Sequence, residues 1–175
     1  MNFVTVAFDR LFPPDPGGLR VMAATRATAA GLASFVMVVL TGMVADVPIV
    51  DRVLGFAMAL FIAATVRDSG TRQKLVTIAA GGLSAAAATV AAAVLIGVPA
   101  AEAVLLPAIM FVIALFGARG PRYVSIGLAG LIGYLIAMVS KQPAETLAVR
   151  LLIIAISAAV AALVRCALMP ERPQW

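Results

Sequence analysis

Apolar residues fall into six blocks along this chain, each long enough for several helical turns and each cut off by a short polar or proline-bearing stretch. The blocks run from about Val21 to Val44, Val53 to Val66, Leu75 to Val98, Ala101 to Phe116, Tyr123 to Val139 and Leu147 to Leu168. Pro48, with Asp46, Asp51 and Arg52, separates the first two, and Arg67-Asp68-Ser69-Gly70-Thr71-Arg72 forms a tight polar turn before the third. Pro99 ends the third block. The fourth carries Pro107 inside and ends at Gly117-Ala118-Arg119-Gly120-Pro121-Arg122. Ser140-Lys141-Gln142-Pro143 closes the fifth, and Pro170 the sixth. The second block is short: fourteen residues at a rise of 1.5 Å reach about 21 Å against a hydrocarbon core of roughly 30 Å. It must take in Ile49 and Val50, or lie beside a thinned or protein-lined region. The pattern predicts an all-α polytopic membrane protein with six transmembrane helices over residues 19–170.

An N-terminal segment, 1–18, and a tail, 171–175, flank these spans. In the first, Phe3, Val4, Phe8, Leu11 and Phe12 recur at helix-like spacing ahead of Pro13, Pro14 and Pro16, which predicts a short helix lying on the membrane surface as an anchor. The prolines and Gly17-Gly18 stand where a cleavable signal peptide would have its apolar core.

Composition agrees with the block pattern. Hydrophobic residues make up 63% of the 175 and charged ones 12%, and the mean hydropathy is +1.11; a soluble globule of this size has no interior large enough to hide that surface. The charges add an orientation. Arg10, Arg20, Arg26, Arg67, Arg72, Lys74, Arg119, Arg122, Arg165 and Arg172 lie in the first, third, fifth and last polar zones, leaving Arg52, Lys141 and Arg150 for the others. That segregation follows the positive-inside rule and predicts that both termini are cytoplasmic. The net charge of +5 then reflects a basic rim against anionic lipid, not nucleic-acid binding. Cys166 is the sole cysteine and histidine is absent, which excludes an intrachain disulfide and leaves no His/Cys set for a metal.

Small residues concentrate in the third and fifth blocks. Ala80, Gly81, Ser84, Ala85 and Ala88 share one helical face, and Ala129, Gly133 and Ala137 form small-xxx-small steps. Lipid provides no hydrophobic force between helices, so close backbone approach must hold them together. These two helices are therefore expected at the packing centre, with the Leu-, Ile-, Val- and Phe-rich first, fourth and sixth facing lipid. The Gly81-Gly82 pair also reads as a hinge or a point of close approach to a substrate. Phe61 to Ala87 and Met110 to Ala137 share an order of apolar helix, basic turn with glycine, and Gly-rich helix. This reads either as a repeat of parallel topology or as the common form of short basic turns between membrane helices.

The chain has no Walker loop, dinucleotide fingerprint, HExxH motif or Ser-His-Asp set, so it does not read as an enzyme, and no cofactor is expected. Ionisable groups at membrane depth are the remaining candidates for chemistry. Arg26 lies about one and a half turns beyond Arg20, with Thr25 and Thr28 beside it; it either grips a carboxylate with its planar fork or snorkels to lipid phosphate. Arg150, one turn into the sixth block, and Arg165 at its other end read as snorkelling side chains. Asp51, Asp68, Glu102 and Glu145 all sit at block ends or in loops. With no carboxylate in mid-membrane, the pattern leans away from a proton relay.

The order of motifs resembles the membrane half of the fusaric acid resistance and aromatic acid exporter superfamily (FUSC). The matching features are Asp15-Pro16 followed by Leu19-Arg20-Val21 and an Ala-rich first span; a short second span and the turn Gly70-Thr71-Arg72; the glycine-pair helix at Gly81-Gly82; a later basic turn; and a sixth span closed by proline. Where the family carries an arginine before the third-helix glycine and a threonine after it, this chain has Ile78 and Gly82. The resemblance implies a bacterial inner-membrane transporter exporting small aromatic or other organic carboxylates, with Arg20, Arg26, Arg72 and Arg150 as candidate anion contacts. Gly81, Gly82, Ser84, Ala129 and Gly133 are the helix-packing or hinge positions. Typical members also have a cytoplasmic domain and often a second six-helix half, which implies a homo-oligomer or a second membrane subunit, with a periplasmic adaptor as a further possible partner. A passive anion channel and a non-transporting scaffold subunit are the alternatives.

Overall fold

The structure is a computed structural model that describes residues 19–43, 47–66, 70–95, 98–140 and 146–168, with the backbone alone at 19, 20, 99 and 101–103. The N-terminal anchor helix expected over 1–18, the tail 171–175, the Arg67-Asp68-Ser69 part of the first basic turn, and Asp46, Lys141 and Glu145 lie outside the described residues.

Among the described residues there are six α-helices and no strand: α1 (Leu19–Gly42), α2 (Ile49–Thr65), α3 (Thr71–Leu95), α4 (Pro99–Gly117), α5 (Pro121–Ser140) and α6 (Leu147–Leu163), the last continuing as a π-helical turn, Val164–Leu168. Four segments are long and apolar enough to cross a membrane: Val21–Gly42, Thr71–Leu95, Pro121–Ser140 and Leu147–Leu168. The second helix takes in Ile49 and Val50, and its 17 residues extend about 25 Å. Pro99 begins α4 instead of ending α3, and Pro121 begins α5. A proline in the first helical turn loses no hydrogen bond and has its φ already set. Gly120 makes the α4–α5 turn possible, because its φ of 137° is strained for any residue with a Cβ.

The helices form two groups of three. In one, α1 runs antiparallel to α2, with Gly31 against Phe56 and Leu60 and Gly42 near Arg52. The last helix, α6, packs beside both, parallel to α2. Val38 of α1, Val47 before α2 and Ile153 of α6 are buried together. In the other group α3 and α5 run parallel, while α4 descends antiparallel along α5, with Gly117 against Val124 and Gly127 against Ile113. Ala92, Tyr134 and Ala137 form one buried cluster there. The groups meet where α6 packs on α3 and α2 on α5. Ala158 lies against Gly82 across the first seam, and Ser125 Oγ donates to the Thr65 carbonyl across the second, at 2.8 Å.

This arrangement corrects the expectation for α6. It does not only face outward: Leu152 and Leu163 are exposed, but the helix also contacts α1, α2 and α3 and buries Arg150, Ile153, Ile154, Ser157 and Ala161. Its Leu and Ile content fills the space between two groups of helices. The fourth helix does lie at the margin, with Val104, Phe111 and Leu115 exposed.

At the α3–α5 contact the small residues permit backbone approach. A Cβ built at Gly133 would lie 2.7 Å from the Ala85 carbonyl oxygen and 3.1 Å from its Cα, and one at Gly130 would lie 2.5 Å from Ser84 Oγ. Gly81 is looser, with Ala129 Cβ at 3.5 Å. The second helices of the two similar stretches are thus the ones that pair. Gly133→Ala is expected to force the backbones apart and destabilise the protein by about 1–3 kcal/mol, whereas Gly81→Ala should stay within about 0.5 kcal/mol of the parent. Thermal unfolding in detergent compares the two; equal effects would mean that this contact does not govern stability.

Candidate functional site

Among the described residues, buried polar side chains at both ends and the middle of the α2–α6 pair link those helices. Two parallel helices bring like dipole ends together, and the side chains at those ends are matched to them. At the N-terminal end of the pair, Asp51 in the first turn of α2 is fully buried and Arg150 is 2% exposed, with Arg150 Nε 3.0 Å from Asp51 Oδ1. The contact is a close ion pair, and among the described residues neither carboxylate oxygen makes a further hydrogen bond. Arg150 Nη2 donates to Ser140 Oγ at 2.6 Å, and Ser140 Oγ in turn donates to the Ala137 carbonyl at 3.0 Å. The carboxylate thus lies where two helix N-termini carry partial positive charge, and the guanidinium reaches the negative C-terminal end of α5.

Midway along the pair, Ser34 of α1 and Ser157 of α6 share the Gly55 carbonyl of α2, at 3.0 and 3.1 Å. The two hydroxyls are 3.0 Å apart. Gly55 has no room for a side chain: a Cβ would lie 2.8 Å from Val38 Cγ2. At the far end, Arg165 in the π-helical turn is 3% exposed and donates to the Ala63 and Val66 carbonyls at 2.6 and 2.5 Å. It caps the final turn of α2, whose last carbonyls have no partner within the helix.

Two readings of the sequence are corrected here. Arg150 and Arg165 do not snorkel; both are buried among helices, and each carries polar contacts to another helix. Asp51 is not a loop residue but a buried helical carboxylate paired with Arg150. One signal in the sequence points to this. Arg150, Ser157 and Arg165 recur at intervals of seven and eight residues, which places them on one face of α6. Lys74, counted only as a cytoplasmic charge, is also buried, near the start of α3.

The four arginines taken as anion contacts do not converge. Arg150 lies at the α6 N-terminus beside Asp51, whereas Arg26 lies near the start of α1 and Arg72 near the start of α3, at the opposite end of the bundle. Arg72 is exposed and Arg26 half-buried; the side chain of Arg20 lies outside the described residues. Arg26 lines a recess of about 250 Å³ with Val21, Met22 and Thr25. A second cleft, about 270 Å³, lies between α3, α4 and α5 and is lined by Ser84, Leu105, Ile109, Ile113 and Gly130 among others. Among the described residues no group of acidic, cysteine or histidine side chains is placed to hold a metal.

No family model matches the chain, and no curated protein or solved structure matches it.

The ion pair makes a direct prediction. Arg150→Gln leaves the Asp51 carboxylate buried without its counter-charge, and the cost is expected to be about 3–5 kcal/mol. The double variant Asp51→Asn/Arg150→Gln removes both charges and should recover more than half of the loss. Denaturation of both variants in detergent reads the difference, and a double variant no more stable than the single one would contradict it.

Proposed function

We propose that the chain is a multi-pass protein of the bacterial inner membrane that exports small aromatic or other organic carboxylates, working as a homo-oligomer or with a second membrane subunit. Its six helices each cross the bilayer and both termini are cytoplasmic. The segregation of basic residues supports that orientation. The α4 length of 19 residues, about 28 Å, close to the thickness of a hydrocarbon core, supports its crossing the bilayer.

The observation that carries the functional reading is the recess on α1. It sets one guanidinium, Arg26, against the apolar walls of Val21 and Met22, with the Thr25 hydroxyl alongside. A charged fork beside apolar surface suits a ligand with a carboxylate at one end and a hydrocarbon or aromatic body at the other. The recess lies at the basic end of the bundle, where an anion leaving the cytoplasm would enter. The FUSC-like order of motifs supports the same substrate class. The role of Arg150 in this reading changes: it is buried against Asp51, whereas Arg26 lines the recess and is the anion contact.

A second reading, a non-transporting scaffold subunit, draws on the buried arginines, because both Arg150 and Arg165 serve to tie helices together. Export measurements separate the two. Arg26→Lys keeps the charge and loses the planar fork, so an exporter should lose anion efflux by about tenfold or more at normal expression, the change expected from one charge-assisted hydrogen bond. Efflux unchanged in Arg26→Lys would remove Arg26 from the site, and absence of efflux from the parent protein would favour the scaffold. The orientation has its own test: cysteines placed at Arg72 or Arg119 should resist impermeant thiol reagents added outside the cell, while one at Asp46 should react.

A further inference from the structure

The strongest unexplained group in the bundle is Asp51. It is fully buried, yet a carboxylate in such a place normally accepts several hydrogen bonds. Among the described residues its one close partner is Arg150, whose Nε lies 3.0 Å from Oδ1, and no described donor reaches Oδ2. Arg150, by contrast, is tethered on its other side by Ser140. The carboxylate is thus the weakly held member of the pair, positioned by charge alone.

The charged and titratable groups around it are few. On its own helix, Arg52 turns away and donates from Nε to the Val47 carbonyl at 3.1 Å. From α6, Arg150 is the only described charge at this end. From α5 the described group here is Ser140, since Arg122, Tyr123 and Tyr134 lie elsewhere along that helix. From α1 no described charge lies at this end, Arg26 being near the other. Asp46, Lys141 and Glu145 lie outside the described residues. Asp51 therefore has one electrostatic partner among the described residues, and the ends of α2, α5 and α6 are joined through it.

We propose that Asp51 is a proton-binding site that controls closure of this end of the bundle. As a carboxylate it holds Arg150, and with it the N-terminus of α6, against α2. When a proton from the aqueous side adds to Oδ2, the carboxylate becomes a neutral acid and the attraction is lost. Among the described residues Arg150 is then a buried cation matched by a hydroxyl and a helix end alone, which favours movement of the α6 N-terminal turn toward water or toward an external anion. The α5–α2 connection at the other end, through Ser125 and Thr65, is untouched, so the motion is an opening at one end only. The inference goes beyond the transport reading and does not depend on it, because opening is measured directly.

The test replaces Ile153, buried one turn beyond Arg150, with cysteine in a Cys166→Ser background. Its reaction with a small water-soluble thiol reagent is measured in nanodiscs from about pH 8 to about pH 4, the range across which a buried carboxylate titrates. The rate is taken relative to a cysteine at Met43, exposed at the same end, which corrects for the pH dependence of the thiol itself. With Asp51 intact the relative rate should rise by about tenfold as pH falls, as expected for release of a local closure. In Asp51→Asn it should be high and independent of pH. A flat profile with Asp51 intact overturns the proposal, as does an Asp51→Asn profile with the same pH dependence as the parent. If Asp51→Asn does not fold, Asp51→Glu decides: a shifted midpoint supports the assignment, and an unshifted one places the titration elsewhere and sinks it.

Discussion

An arginine and an aspartate that meet away from water hold the two central helices of this protein in register. Charges so placed are costly on their own, and the pair is tolerated because the helix ends around it carry matching partial charge. The parallel run of α2 and α6 creates the need: two N-termini side by side repel, and an acidic group between them relieves the repulsion. The C-termini pose the mirror problem, and Arg165 answers it by donating to α2 carbonyls. The serine pair on the Gly55 carbonyl fixes the spacing between these ends. With the register set at three depths, α6 presents Ala158 to Gly82 and so carries the second group of helices.

Away from that seam, the contact between α3 and α5 depends on size, not charge. Glycine and alanine at successive turns let backbone meet backbone, and Thr89 adds a hydroxyl that donates to the Gly133 carbonyl at 3.3 Å. Dispersion and a few weak polar contacts are what membrane helices have available to associate. The two halves of the bundle therefore cohere in different ways, one through buried polar groups and the other through close approach of small residues.

Much of the architecture was legible in the sequence because apolar block length and proline position are local signals. The extension of α2 to Ile49 followed from the length a membrane demands, and Gly81, Gly82 and Gly133 marked helices that approach closely. The position of α6 was not legible from composition, since a Leu- and Ile-rich helix reads the same whether lipid or other helices surround it. The interior polar groups were missed for a related reason. Asp51 and Arg150 each stand near the end of an apolar block, where a charged side chain reads as interfacial; only the fold shows that these two ends are adjacent. The recess beside Arg26 is a one-helix feature, which is why that arginine was visible as a candidate, and its separation from Arg150 was already implied by their placement in opposite sets of polar zones.

The central place of α6 also bears on how the chain is made. Arg165 caps a helix end 102 positions earlier in the chain, so α2 emerges from the ribosome well before its cap exists. Asp51 likewise waits for Arg150 while α3, α4 and α5 are synthesised. During that interval the aspartate is an unmatched charge at the head of a short helix, and two helix groups stand without the element that joins them. Until α6 is made, neither of these contacts can form, and the two helix groups lack the element that packs between them.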